Sequence, residues 1–319
     1  MNPVRIAIGG KFAPALAAEL ACPHTLPALP EQDDAGIARI LADTDVLVSA
    51  SYKAAWRSPA GAGPRLVHST GAGVDGIEIA SLPPGCKVCN VYGHERGVAE
   101  QAFMLILALQ KGLLGLDAAL RRGDWTPQRP FLTELRDRHL LILGLGHIGR
   151  ELARWGQFLG MSATALTRSP AKARTATPGL RAVDGLDRLG AHLPAADFVV
   201  VAIPAAPETT DLIGARELGL MKPTAFIVNV GRAAVINEAA LYEALRHRRI
   251  AGAGLDVWYQ YPRPGENCLP SRLPFHELDN VVMTPHKPTV ETMAFRWREI
   301  AKNIARFGRG EPLENQVLP

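Results

Sequence analysis

The 319-residue sequence predicts an α/β protein of two doubly wound, parallel-sheet domains, and three observations carry that expectation. Short β-rich runs alternate with helical patterns from end to end. The runs of the middle part are more uniformly apolar than those of the first part, as strands covered by helices on both faces are. The length allows two domains of about 150 residues each. Hydrophobic residues make up 47%, charged residues 21%, and mean hydropathy is +0.04, ordinary globular values that exclude a disordered, collagenous or coiled-coil chain. The longest apolar run, Ala102–Leu109, is far shorter than the roughly 18 residues of a membrane span. Residues 1–8 read as a first strand rather than an export signal, so a cytoplasmic location is expected.

In chain order, strands are expected at Val4–Ile8, Asp45–Ala50, Arg65–Ser69 and Lys87–Val91, then at His139–Leu143, Ser162–Leu166, Phe198–Ala202, Phe226–Asn229, Gly252–Asp256 and Val281–Thr284. Between the two sets runs a single long helical pattern, Glu95–Arg122. Its centre, Ala99–Leu116, is apolar on more than one face and is expected between domains or at a subunit interface. A second long helix is expected over Glu291–Phe307, and the Pro-rich stretches Thr126–Pro130 and Tyr261–Pro274 read as loops. The cysteines Cys22, Cys86, Cys89 and Cys268 read as buried, reduced thiols. Cys86-Lys-Val-Cys89 has no second pair, and in a strand its two thiols face opposite sides, so no metal site is expected. The formal net charge is +4, but Lys and Arg are scattered, and the clusters Arg121-Arg122 and Arg246–Arg249 fall late in helical patterns, where cations suit the helix dipole. This argues against a nucleic-acid partner and fits an anionic small molecule.

The segment Leu140-Leu-Ile-Leu-Gly144-Leu-Gly146-His-Ile-Gly149 follows an apolar run and opens a helical pattern, the context in which G-x-G-x-x-G marks a dinucleotide-binding Rossmann domain. Gly144 permits the tight turn, Gly146 lets the backbone approach a pyrophosphate, and Gly149 lets helix and strand pack closely. The free N–H groups at the helix start, around His147 and Ile148, then face the phosphates. Roughly 20 residues on, an NAD enzyme places an acid to accept from the adenosine ribose. Here the strand ends Thr167-Arg168-Ser169, with Lys172 and Arg174 close by. A guanidinium and hydroxyls suit a 2′-phosphate, so NADP(H) is expected in preference to NAD(H).

Further segments are Ser69-Thr-Gly-Ala-Gly-Val-Asp-Gly-Ile77, Val98-Ala-Glu100, Pro207-Glu-Thr-Thr210, Met221-Lys-Pro223, Phe226–Leu241 with Arg232, Ala253-Gly-Leu-Asp256-Val-Trp258 and Met283-Thr-Pro-His286. Over nearly the whole chain these resemble the D-isomer-specific 2-hydroxyacid dehydrogenase family. The resemblance implies a Rossmann cofactor domain, about 98–286, inserted in a flavodoxin-like substrate domain made of 1–97 and 287–319. A cleft between them would close on the ligands. It also implies a homodimer built on the cofactor domains, and reversible hydride transfer between a nicotinamide and the C2 carbonyl of a small 2-keto acid, with glyoxylate or hydroxypyruvate the leading substrates. Arg232 would hold the carboxylate and carbonyl, and His286 would act as acid and base. Backbone N–H groups of Ala72 and Gly73 would complete carboxylate binding, and Asp256 would orient the nicotinamide carboxamide. Thr209 and Val230 are matched as further cofactor contacts.

Several positions depart from the family pattern. Most relatives carry a Glu five residues after the equivalent of Asp256, bonded to the catalytic histidine; this chain has Tyr261. A neutral phenol adds no charge to favour the protonated imidazole, so Tyr261 is expected to orient His286 while keto-acid reduction fades at a lower pH than in Glu-bearing relatives. Glu266 or Glu291 is the alternative source of a carboxylate. Gln101 stands where relatives often show His, Ala233 where Gly is common, and Lys287-Pro288-Thr289 where small residues are usual. Substrate choice is expected in Tyr52, Lys53, His94 and Arg96, and a second anionic group on the substrate becomes plausible if Lys53 or Arg96 reaches the pocket. The alternatives are a non-catalytic nucleotide sensor resembling the C-terminal-binding corepressors, which retention of Arg232 and His286 opposes, and a formate dehydrogenase-like enzyme. The latter group also carries a neutral residue at the Tyr261 position, but has Asn near where His94 stands here.

Overall fold

A computed structural model describes residues 3–30, 33–58, 61–125, 132–174, 177–263, 265–287 and 289–318, the side chains of Lys172 and Arg174 excepted. The expected loop Thr126–Pro130 therefore lies outside the described residues. The chain divides into two compact units, Met1–His94 with Pro288–Pro319, and Glu95–Lys287. The first boundary falls before the expected position after 97, because the helix Glu95–Gln110 packs whole against the sheet and the helix His147–Phe158 of the larger unit.

In the larger unit, seven parallel strands lie in the order Ala182–Asp184, Ser162–Leu166, His139–Leu143, Phe198–Val201, Phe226–Asn229, Gly252–Leu255, Val281–Met283. Chain order reverses between His139–Leu143 and Phe198–Val201, which creates the crevice where open α/β sheets bind ligands. Both of these strands are buried at every residue, each large apolar side chain contributing about 1.5–3 kcal/mol. Leu141, Val199 and Ile227 feed a core on one face; Leu140, Ile142 and Val200 meet Phe103 and Ile106 on the other.

The long pattern Glu95–Arg122 is not one helix. It breaks at Lys111-Gly112, where Gly112 has φ +58°, into Glu95–Gln110 and Leu113–Arg121, bent by 57°. Ala99, Ala102, Phe103, Leu105 and Ile106 are buried within the unit, whereas Met104, Leu113, Leu114 and Leu120 are exposed on it. Among the described residues no single helix is long and apolar enough to cross a membrane.

In the smaller unit the sheet runs Gln316–Leu318, Lys87–Cys89, Leu66–His68, Val46–Val48, Val4–Gly9, His24–Thr25, with Ala28–Leu29 also on the Val4–Gly9 strand; only Gln316–Leu318 is antiparallel. The helix Val290–Arg309 starts at Thr289, whose hydroxyl accepts the Thr292 N–H at 3.1 Å, and ends at Gly310 with φ +69°. Its Trp297, Ile300 and Ile304 close the core over Ile6, Ile8 and Leu66. Four two-residue strands described in this unit, His24–Thr25, Ala28–Leu29, Ser51–Tyr52 and Gly76–Ile77, are too brief to show an alternation in the sequence.

Candidate functional site

The three glycines of the dinucleotide motif sit in three different environments. Gly144 has φ +102°, and a Cβ there would meet the Ala202 carbonyl oxygen at 2.7 Å. A Cβ on Gly149 would fall 1.9 Å from the Gly144 oxygen, so helix and strand touch through the missing side chain. Around the hypothetical Cβ of Gly146 there is open space, and the helix His147–Phe158 begins immediately after it with no side-chain cap. That is a cradle a phosphate can approach and a side chain would obstruct, so the residues fit a dinucleotide. At the end of the next strand, exposed Arg168 pairs with Glu208 at 3.5 Å.

Thr209, expected as a cofactor contact, is turned inward. Its hydroxyl donates to the Pro204 carbonyl at 2.9 Å and accepts the Ala206 N–H at 2.9 Å, so it shapes the 204–209 loop instead. Val230 is buried at the end of its strand, its N–H on the Val201 carbonyl. Asn229 then fixes the following loop: its side-chain oxygen accepts the Gly231 N–H and its amide donates to the Arg232 carbonyl, both at 3.0 Å. Arg232 leaves that loop half-buried, Nη1 donating to the Gly231 carbonyl at 2.9 Å.

Asp256 is buried and held on one side. Its Oδ1 accepts from Thr284 Oγ1 at 2.5 Å and from Gln101 Nε2 at 3.2 Å, and Gln101 also donates to Thr284 at 2.9 Å. No described residue donates to Oδ2, which leaves it for a ligand's amide. Gln101, a departure at sequence level, thus ties the Glu95–Gln110 helix to the carboxylate.

His286 ends the segment after the last strand with φ +52°, a left-handed backbone that His adopts more readily than most residues. Trp258 holds this segment, its Nε1 donating to the Thr284 carbonyl at 2.8 Å. Tyr261 reaches the histidine: its hydroxyl lies 3.1 Å from Nδ1 and accepts the Trp258 N–H at 3.2 Å. The neutral partner inferred from Tyr261 is thus in place, while Glu266 sits on a turn closed to Arg263. The parts of Trp258, Thr284 and Asn229 were not assigned in the sequence, though all three lie inside the quoted segments.

In the smaller unit, the carbonyls of Gly71, Ala72 and Gly73 accept from Val91 N–H at 3.2 Å, Asn90 Nδ2 at 2.8 Å and Ser69 Oγ at 2.7 Å. With its oxygens tied down, the turn has the N–H groups of Ala72 and Gly73 left over, with no acceptor among the described residues. His94 is buried at the end of this unit. Two substrate expectations are corrected. Tyr52 is fully buried, edge-on to Trp56, because its strand pairs with Gly76–Ile77 and drives the ring into the core. Lys53 instead stands 3.7 Å from Asp34 and over the Trp56 ring.

The thiols are inert where buried: burial pushes Cys86 up to about 12 and Cys89 up to about 11. Cys268 is exposed and Cys22 half-buried, against expectation, because both lie in loops outside the sheets.

Residues 103–287 match the NAD binding domain of the D-isomer specific 2-hydroxyacid dehydrogenases. The chain is 34% identical over 257 residues to a D-3-phosphoglycerate dehydrogenase of Methanocaldococcus jannaschii, covering 79% of this chain but 47% of that protein; it spans about half the length of such relatives. It is 32% identical over 264 residues to a glyoxylate reductase of Thermococcus litoralis, covering 79% and 76%. Its fold is similar to that of an NADPH-dependent glyoxylate/hydroxypyruvate reductase from Sinorhizobium meliloti, solved with NADP and malonate, with a TM-score of 0.82, 26% identity, and 99% and 97% of the two chains covered. The glycine turn, Arg232 and His286 all fall inside the matched segment, and the chain belongs to the D-isomer specific 2-hydroxyacid dehydrogenase family.

Proposed function

We propose that the protein is an NADP(H)-linked reductase of small 2-keto acids, glyoxylate or hydroxypyruvate among them, working as a cytoplasmic homodimer that pairs through the exposed apolar face of the helices around Gly112. When bound, the nicotinamide supplies the hydride. The protein's own groups do the rest. Ala72 and Gly73 offer N–H groups to the substrate carboxylate, and Arg232 neutralises the carboxylate and polarises the carbonyl. Asp256 offers Oδ2 to the carboxamide, and its fixed Oδ1 keeps that oxygen in register.

The observation that carries this reading is the hydrogen bond between Tyr261 and His286. The phenol oxygen, held by the Trp258 N–H, has a second lone pair for Nδ1–H, which aims Nε2–H outward as the proton donor to the developing alkoxide. A phenol gives the ring direction without charge. Loss of NADPH absorbance with a panel of 2-keto acids, run in parallel with NADH, tests the activity; tight NADPH binding without turnover would identify a sensor instead. Tyr261→Glu should move the pH at which reduction falls to half upward by about one unit, since a carboxylate favours the protonated ring. An unmoved profile would contradict the role of Tyr261.

A further inference from the structure

The first turns of the Val290–Arg309 helix cover the two loops of the smaller unit nearest the Ala72–Gly73 turn. Gly93 has φ +102°, and a Cβ there would lie 1.9 Å from the Phe295 ring, so that ring occupies the space of a side chain and pins the helix over the loop. One residue on, Arg296 lays its guanidinium over Gly71. Cζ, Nη1 and Nη2 each stand 3.9 Å from the glycine's hypothetical Cβ, so the flat face of the group is turned to the backbone and its N–H edges point sideways. Beneath it the carbonyls of Gly71, Ala72 and Gly73 are engaged, and the Ala72 and Gly73 N–H groups have no acceptor among the described residues. A guanidinium and a pair of amide N–H groups therefore share one half-buried surface, an arrangement that favours more than one negative charge. Of the two cations the sequence offers for a second anionic group, Lys53 and Arg96, Lys53 stands beside Asp34 and over the Trp56 ring.

We propose that Arg296 is a specificity-determining residue that binds a second carboxylate, so that the preferred substrates are dicarboxylic 2-keto acids. This rests on the reductase reading above and adds to it the identity of the substrate's far end. The test compares near-isosteric pairs on the full-length protein, oxaloacetate against 2-oxobutyrate and 2-oxoglutarate against 2-oxovalerate, by NADPH oxidation. The wild-type protein should favour the dicarboxylic member of at least one pair by tenfold or more in kcat/KM. Arg296→Met, which keeps the packing on Gly71 and Met293, should abolish that preference by raising KM for the diacid, leaving the monoacid within about twofold; Arg296→Lys should restore part of it. A wild-type ratio near one, or an equal loss on both members in Arg296→Met, would overturn the inference while leaving the reductase reading intact. No turnover with any keto acid, glyoxylate included, would remove both.

Discussion

The turn Gly144–Gly149 follows the central strand of the larger sheet, and the turn Ser69–Gly73 follows Leu66–His68 in the smaller one. Both end a parallel strand and both have amide N–H groups left to offer, yet they are built by opposite means. The first relies on what is missing: no Cβ on Gly144 or Gly149, open space at Gly146, and a helix start directly behind. The second has no helix behind it. It is shaped by what is added, a hydroxyl from Ser69 and an amide from Asn90 that occupy the carbonyls. An anion site made by omission is rigid and intolerant of substitution; one made by hydrogen bonds depends on its partners' chemistry.

The largest effect should therefore come from filling the first turn. In Gly149→Ala the new methyl would face a backbone oxygen at 1.9 Å, so a loss of about 3 kcal/mol and of NADPH binding is expected. Gly146→Ala meets nothing and should stay within about 1 kcal/mol in stability while weakening NADPH binding tenfold or more, because the methyl stands where phosphate approaches. Urea unfolding and NADPH fluorescence titration separate the two. Equal stability losses would show that the glycines do not play distinct parts.

The same contrast explains what was legible in the sequence. The strands His139–Leu143 and Phe226–Asn229 could be read residue for residue because burial on both faces leaves a continuous apolar run. The glycine turn could be read because its tightest approach, Gly149 on the Gly144 oxygen, is local, with Ile142, Ala202 and Ile203 the further neighbours. Arg232, His286 and Tyr261 were legible by family resemblance. Asn90, Gln101 and Arg296 were not assigned their parts, since each acts on a partner brought near only by folding: Ala72, Asp256 and Gly71. The helix break at Gly112 was missed because a glycine inside an apolar pattern does not reveal whether its φ is positive.

A comparable effect should distinguish the turns by acid. The second turn hangs from His68, which is fully buried. Its Nδ1 lies 2.9 Å from the Ser69 carbonyl, and its Nε2 accepts from Asn303 at 3.1 Å, so the ring is neutral, with its hydrogen on Nδ1. Burial lowers His68 to about 4 from the ordinary 6.5. The unfolded chain binds this proton first, so the stability involved is present above pH 6.5 and is lost as pH falls from 6.5 towards 4, by about 3 kcal/mol. Asp45 and Asp197, held below 3.8 by Arg5 and Lys222 against the opposing effect of burial, lose their contribution only below that window. After division by the intrinsic exchange rate at each pH, the protection of the amides at Leu66–Ser69 should fall between pH 7 and 4.5 by more than that at Leu141–Leu143. An equal fall in protection would mean that His68 does not govern its own turn.

The smallest effect concerns the adenosine end of the larger unit, where the cradle by omission borrows the other strategy. Arg168 and Glu208 pair at 3.5 Å with 71% and 55% of their side chains exposed, so the pair itself contributes little to stability, about 0–1 kcal/mol. Its meaning is competitive: a 2′-phosphate and the Glu208 carboxylate would seek the same guanidinium. Arg168→Ala should therefore raise KM for NADPH several-fold while leaving NADH nearly unchanged, and Glu208→Gln should lower KM for NADPH by about two- to fivefold by removing the rival charge. Raising ionic strength should shrink both differences, since exposed charges are screened. If Arg168→Ala weakened NADH and NADPH alike, the guanidinium would be shaping the loop rather than reading the phosphate, and the proposed preference for NADP(H) would lose its physical basis.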